Sequence, residues 1–575
     1  MTTTRRRGTA LVSLTASTGL LLGAAALGAG PATSAEPTGD CTTAFPVSEL
    51  APGDAVTGLT VTRGTTPESF TGEVLGVQED GIGPDLDMVM VEVDMPAVDE
   101  AGIWQGMSGS PVYAEDGRLI GAIAYGLSFG PSPVAGVTPF EDMDDYLDAA
   151  GPDPATEVPV GKRLASTIAR ATDVTSAQAA QGFRQLPMPL SVSGVSAQRI
   201  ASTKDKPYFT RGAEAAGSGT TAAAGPETIV PGGNMAASLS YGDVTQAGVG
   251  TATAVCNGRV VGFGHPMSFA GETTLSLHPA SAVYVQEDPV APGFKVANLG
   301  MPVGTISEDH MTGITGLLGP LPRATTISNT ATYEGRTRTG TTQNTVDSAA
   351  AGTTYYQVVA NHDRVVDAIM PGSETMSWTI EGTDVDGSSY LLAFTDRYAS
   401  DYDISGEVGY ELSDLVYALT RIEGVTVDSV TTESDVSDDS SSYRVRGVQQ
   451  KRGGTWVPLG KGERAQAEAG KALALRAVLA GPEGLSYVPL ALKVPASASG
   501  MKGQLVVQGG GWLYGGGNIT SVAKAEKVVG GMVRNDELQA DLSLAKRRKS
   551  VERTTVVGPT DRVVSGMKRV RVVVE

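Results

Sequence analysis

The hexapeptide Gly106-Met107-Ser108-Gly109-Ser110-Pro111 holds the residue types that nucleophilic chemistry needs, at a spacing that suits it. Glycines on both sides of a serine permit a tight turn that a residue with a Cβ would resist. Such a turn aims the N–H groups of Gly106 and Ser108 at one point, the arrangement of an oxyanion hole. Ser108, directly before the second glycine, is the better nucleophile candidate. Ser110 is expected to pack or hydrogen-bond inside the turn.

A serine hydroxyl is a weak nucleophile at neutral pH and needs an adjacent base. The chain has four histidines: His265, His278, His310 and His362. His265 stands in Gly262-Phe263-Gly264-His265-Pro266-Met267, among small residues that would leave the ring accessible. His278 precedes Pro279, His310 follows Asp309, and His362 belongs to a different module. An acid to orient the base could come from Asp87, Asp94 or Asp99. Asp94 ends the Met88–Val93 run, where a carboxylate could face a neighbouring barrel, and all three also suit the bland role of solvated residues.

The elements that must position these groups read as short strands. Gly 73, Pro 32 and 5% aromatic residues, with many Val/Thr-rich runs, point to a mainly β chain with many turns. At 575 residues it is too long for one core, and roughly 150 residues per domain suggests about three or four units. Residues 45–150 alternate strand and turn often enough for one small barrel, closing on a short acidic helix from Pro139 to Leu147. Residues 151–227 read as a connector, with a possible helix at 175–183 and an Ala/Gly/Ser/Thr-rich, flexible stretch over 212–227 whose composition cannot build a core. A second β unit spans 228–323. There Asn257-Gly258 between two β-type runs signals a hairpin that delivers His265 just past its second strand. Residues 324–575 stay β-rich, Tyr355 to Val359 among their strand-like runs, and suggest β-sandwich-like modules. Within them, 413–422 and 522–549 read as helical.

Residues 1–35 read as a signal peptide: Arg5-Arg6-Arg7, an apolar stretch from Ala10 to Leu27, and Thr33-Ser34-Ala35 as the cleavage context. The expected location is therefore secreted or extracytoplasmic. No later apolar run reaches the roughly 18 residues of a membrane span, so no transmembrane anchor is expected. Cys41 and Cys256 are expected to form a disulfide in that oxidising compartment, a lipid-modified Cys41 being the alternative. Two cysteines without a matching histidine pair suggest no zinc site, and neither metal nor organic cofactor is implied. The net charge of −20 argues against nucleic acid or anionic lipid as the main partner.

Residues 70–125 resemble the second half of the SpoIVB peptidase family of secreted serine peptidases. In that family the catalytic serine lies in GMSGSP, followed by a GxLIGA strand, here Gly117-Arg118-Leu119-Ile120-Gly121-Ala122. The upstream Gly102-Ile103-Trp104-Gln105-Gly106 is similar to the family's G-I-V-Q-G. Gly262-Phe263-Gly264-His265 resembles the family's histidine motif. Val303-Gly304-Thr305-Ile306 and Gly313-Ile314-Thr315-Gly316 resemble the segments that follow it. The matched segments cover less than a third of the chain, and here the serine half precedes the histidine half, the reverse of the family's order.

What the resemblance implies is a pair of trypsin-like β-barrel halves and a Ser108/His265/Asp94 triad, with the N–H groups of Gly106 and Ser108 holding the oxyanion. The partner would be a protein or peptide substrate. The alternative is a catalytically inactive cell-envelope binding or scaffold protein that keeps the fold, with 324–575 as its working part.

Overall fold

The computed structural model describes residues 41–128, 130–145, 157–158, 160–171, 174–186, 190–209, 214–215, 224–289, 292–460, 462–510 and 519–575. The expected signal peptide lies outside the described residues, as does most of the stretch read as flexible over 212–227.

Six strands close the first barrel: β1 (Ala55–Thr60), β2 (Glu68–Gly83), β3 (Leu86–Asp94), β4 (Pro111–Ala114), β5 (Leu119–Leu127) and β6 (Val134–Pro139). They run in the order β1-β2-β3-β6-β5-β4, and β4 returns to β1 through Val56↔Ala114 to Gly58↔Val112. In β1 Val56, Gly58 and Thr60 are buried while Ala55 and Thr57 are exposed, the period-2 signature of a strand with one face on a core. Phe70, Val91, Trp104, Met107, Ile123 and Val137 fill the interior.

Residues 157–186, part of the stretch read as a connector, pack on this barrel. After β7 (Glu157–Val158), helix α1 (Lys162–Ala171) and strand β8 (Phe183–Gln185), residues Val160, Ala165, Ile168, Ala179 and Phe183 are buried against Met88, Met90 and Tyr125.

The second barrel comprises β9 (Asn234–Gly242), β10 (Thr245–Cys256), β11 (Arg259–Gly262), β12 (Gly271–Gln286), β14 (Gly304–His310) and β15 (Gly313–Leu318). Its ring order is β10-β11-β15-β14-β12-β9, closed by β9 on β10. Strand β13 (Phe294–Leu299) lies off the ring and pairs with the far end of the long β12. The β10–β11 hairpin turns at Asn257 and Gly258, both with positive φ (49° and 79°), as a two-residue hairpin loop of this composition requires. The chain therefore has two closed six-stranded antiparallel barrels. Cys41 and Cys256 are bonded to each other, and Asn257 beside them ends β10.

Beyond residue 324 the second barrel's sheet continues instead of stopping. Strand Arg336–Asn344 pairs with β9 through Ser240↔Asn344, and Thr325–Tyr333, Thr426–Ser437, Gly372–Thr383 and Ser389–Ser400 extend it. Helices α2 (Ala350–Val366) and α3 (Gly409–Thr420) pack on this extension. The β-like run Tyr355–Val359 lies inside α2. Aromatic and β-branched residues favour strands only weakly, and burial on nearly every face of this helix overrides that preference. The last 130 or so residues form a sandwich. One sheet (Thr455–Pro458, Tyr443–Arg452, Ala472–Gly481, Gly484–Lys493) and another (Arg464–Ala467, Met567–Val574, Lys502–Gly509, Leu538–Lys546, Lys549–Val557) share a core of Val445, Leu475, Leu490, Leu505, Leu542 and Val572. The helix expected over 522–549 is confined to Val522–Val529, and Leu538–Lys546 is a strand. Among the described residues no helix is long and apolar enough to cross a membrane.

Candidate active site

The loop between β3 and β4 presents Ser108, and the second barrel grips it from outside. Ser108 O accepts from Thr251 N at 2.8 Å, Gly106 O from Thr251 Oγ1 at 3.2 Å and Gly109 O from Thr253 Oγ1 at 2.8 Å. Gly109 has φ 95°, and a Cβ there would stand 1.9 Å from Thr251 O; only glycine tolerates both the conformation and the approach. On the other side Gly109 N donates to Ile123 O at 2.7 Å and Ile123 N to Ser110 O at 2.9 Å, which locks the loop to β5. Ser110 Oγ is engaged inside the turn, donating to Thr60 Oγ1 at 2.9 Å.

The second barrel brings His265 to the serine. After β11 the chain passes through Phe263 and Gly264, both at φ 71°, and leans on β5 and β6. Thr138 Oγ1 donates to Gly264 O at 2.7 Å, and a Cβ on Gly264 would lie 3.0 Å from the Cβ atoms of Ala122 and Ala124. His265 follows with Nε2 2.9 Å from Ser108 Oγ, across 157 residues of chain.

Its Nδ1 is 2.8 Å from Pro266 O. A carbonyl can only accept, so this contact calls for the proton on Nδ1, which leaves the Nε2 lone pair facing the serine hydroxyl. The Gln185 side-chain amide donates to the same carbonyl at 3.2 Å and lies 3.0 Å from Nδ1. Burial drives the His265 pKa down to about 4, against smaller upward pulls from the Pro266 carbonyl and the Asp309 charge. The ring is therefore neutral over the physiological range.

The acid expected to orient the histidine requires correction. Asp94 is exposed at the end of β3, paired through its backbone with Thr71, and makes no contact with His265 among the described residues. It contributes to an acidic surface with Glu73 and Glu92, where burial and these two neighbours raise the Glu92 pKa. Asp87 likewise serves a turn, accepting from Asp80 N at 2.9 Å. The carboxylate whose charge reaches His265 is Asp309 of β14, which is buried. It accepts from Met267 N and Ser268 N at 2.8 Å each, from Ser268 Oγ at 2.7 Å and from Ala270 N at 3.3 Å, and so pins the segment that follows His265. In the sequence it stands between Glu308 and His310, in a run that does not mark it out from a solvated aspartate.

Two N–H groups of this loop stay unengaged. Those of Met107, Gly109 and Ser110 donate to Trp104 O, Ile123 O and Met107 O, whereas those of Gly106 and Ser108 meet no acceptor among the described residues. Buried Lys295 runs past Gly106, lying 2.8 Å from where a Cβ would stand, and its Nζ donates to Asn234 Oδ1 at 2.7 Å. Burial lowers its pKa to about 7. No group of three or more His, Cys, Asp or Glu converges as metal ligands would, among the described residues.

The other histidines are occupied structurally. His278 bridges Ser238 Oγ and Gly300 O inside the second barrel, His310 pairs with Glu308, and His362 is buried against Glu374 at 2.9 Å. No protein-family model, curated protein or solved structure matches this chain.

Proposed function

We propose that the chain is an exported serine endopeptidase resembling the SpoIVB family, with the two barrel halves in reversed order. The observation that carries this is the 2.9 Å contact between Ser108 Oγ and His265 Nε2, made by residues from different barrels. In this reading Ser108 attacks the scissile carbonyl while His265 Nε2 takes its proton. The imidazolium is supported by the Pro266 carbonyl and the Asp309 charge, and the N–H groups of Gly106 and Ser108 receive the oxyanion. His265 then returns the proton to the leaving amine, and water releases the acyl group by the same route.

A second reading, a cell-envelope binding or scaffold protein without activity, draws on the closure of the pair: Ser108 is 2% exposed and His265 0%. Prolonged reaction of the mature chain with a fluorophosphonate, followed by peptide mapping, separates the two. The peptidase reading expects an adduct on Ser108, abolished in Ser108→Ala and slowed at least about 100-fold in His265→Ala. A chain that stays unmodified at Ser108 under every condition, including those of the next experiment, supports the scaffold.

A further inference from the structure

The closed state of the Ser108–His265 pair has an identifiable cause in the first barrel. Along one edge of β5 the partners follow in order. Residues Leu119–Ala122 pair with β4, Ile123 is held by Gly109 and Ser110, Ala124 O accepts from Leu186 N at 3.0 Å, and Tyr125, Gly126 and Leu127 pair antiparallel with Gln185, Arg184 and Phe183. An extended peptide added to this edge therefore ends against the serine loop. Strand addition of this kind supplies main-chain hydrogen bonds, with pockets for individual side chains.

The side chains of 183–186 are placed as those of a bound peptide would be. Gln185 reaches the far side of the His265 ring and the Pro266 carbonyl. Leu186 is 1% exposed and joins the cluster containing Ile103, Trp104 and Met107, the wall that leads into Ser108. Gly126 makes room for it: a Cβ there would lie 3.0 Å from Leu186 Cδ2 and 3.8 Å from Ile103. In the sequence the next residue is Pro187.

Resting on the peptidase reading, we infer that Phe183–Leu186 occupies the acyl side of the substrate cleft. Leu186 fills the specificity pocket. The enzyme's substrates are extended peptides carrying a leucine-like apolar side chain at that position, and they bind only when this segment leaves β5.

The test compares the full mature chain with two variants outside the Ser108–His265 machinery. Arg184→Pro removes the N–H opposite Gly126 and disfavours strand pairing, and Leu186→Asp places a charge in the apolar pocket. Circular dichroism and thermal melts confirm folding, and Arg184→Pro carries the test should Leu186→Asp unfold. The rate of fluorophosphonate labelling at Ser108 should rise at least about 10-fold in the variants. In Arg184→Pro, peptide p-nitroanilides ending in Leu should be cleaved at least about 10-fold faster, by kcat/KM, than those ending in Lys or Asp. Equal labelling of wild type and variants would overturn the internal occupant while leaving the peptidase reading intact. A preference for Lys or Asp would overturn the pocket assignment. No labelling at Ser108 in any of the three proteins would overturn the peptidase reading, and this inference with it.

Discussion

Asp309 acts on a histidine that it does not touch. Four hydrogen bonds to residues 267–270 fix the chain just after His265, and its charge favours the protonated form of that ring. Asp309→Asn is therefore expected to lower kcat about 10-fold or more with little change in KM, and to move the acid limb of the pH–rate profile to lower pH, because the supporting charge is gone. Asp94→Asn should leave both within about two-fold. Measurements on the Arg184→Pro background, where the cleft is open, make the comparison. Ser108 and His265 could be picked from the sequence because each sits among glycines that serve no other evident purpose. Asp309 could not, because its partners, three backbone N–H groups and the Ser268 hydroxyl, converge only after β14 has been folded beside residues 266–270.

Burial of the histidines has a second consequence at this scale. His265 and His278 both have pKa values lowered to about 4, chiefly by burial, against an ordinary 6.5. Between these values the unfolded chain binds protons that the folded chain refuses, so stability falls as the pH drops from about 6.5 to about 4. The loss amounts to about 3 kcal/mol per histidine. His362 runs the other way: Glu374 outweighs burial and raises its pKa, so its contribution is present below pH 6.5 and is lost as pH rises through the folded value. Urea titrations should show His278→Gln losing part of the acid-side decline. Glu374→Gln should destabilise most on the acid side, where His362 is charged and would be left unpaired.

At the scale of elements, the turn at Gly106–Gly109 and the turn at Phe263–Gly264 must both be right for the serine and histidine to meet. Gly109→Ala forces a Cβ against Thr251 O and a side chain into φ 95°. The expected result is a loss of about 2 kcal/mol or more in stability and of Ser108 labelling. Gly264→Ala meets only two alanine methyls and one carbonyl, and should cost less stability while still displacing the histidine. The β10–β11 hairpin was legible because Asn-Gly chemistry is local. The strand at 183–185 was not, since three residues carry no period and the pairing that makes them a strand comes from β5, more than fifty residues earlier. The same limit applies to α2, whose strand-like residues are helical because their surroundings bury them on all sides.

For the whole molecule, Arg199 and the disulfide are two of the long-range ties among the described residues. Arg199, 2% exposed, donates to Asp363 of α2 at 2.6 Å and bonds Asp403, linking the segment after the first barrel to the sheet extension. Arg199→Met strands two partly buried carboxylates and should cost about 3 kcal/mol or more, read as a lower denaturation midpoint. The Cys41–Cys256 bond spans 215 residues. Its removal in Cys41→Ser/Cys256→Ser should cost about 2–5 kcal/mol. The barrel pair and the final sandwich could be anticipated from the strand rhythm. The continuity of the second barrel's sheet past residue 324 could not, because edge pairing such as Ser240↔Asn344 leaves no trace in composition.

The order of the two barrels also sets a timetable. A chain is made from its N-terminus, and the barrel that bears Ser108 is complete long before residue 265 exists. Until then the hydroxyl has no base within reach, and Cys41 has no partner either. Both wants are met by one hairpin: Cys256 closes its first strand, and His265 follows nine residues later. A chain that stops before that hairpin therefore lacks the partners for both the Cys41–Cys256 bond and the serine–histidine contact.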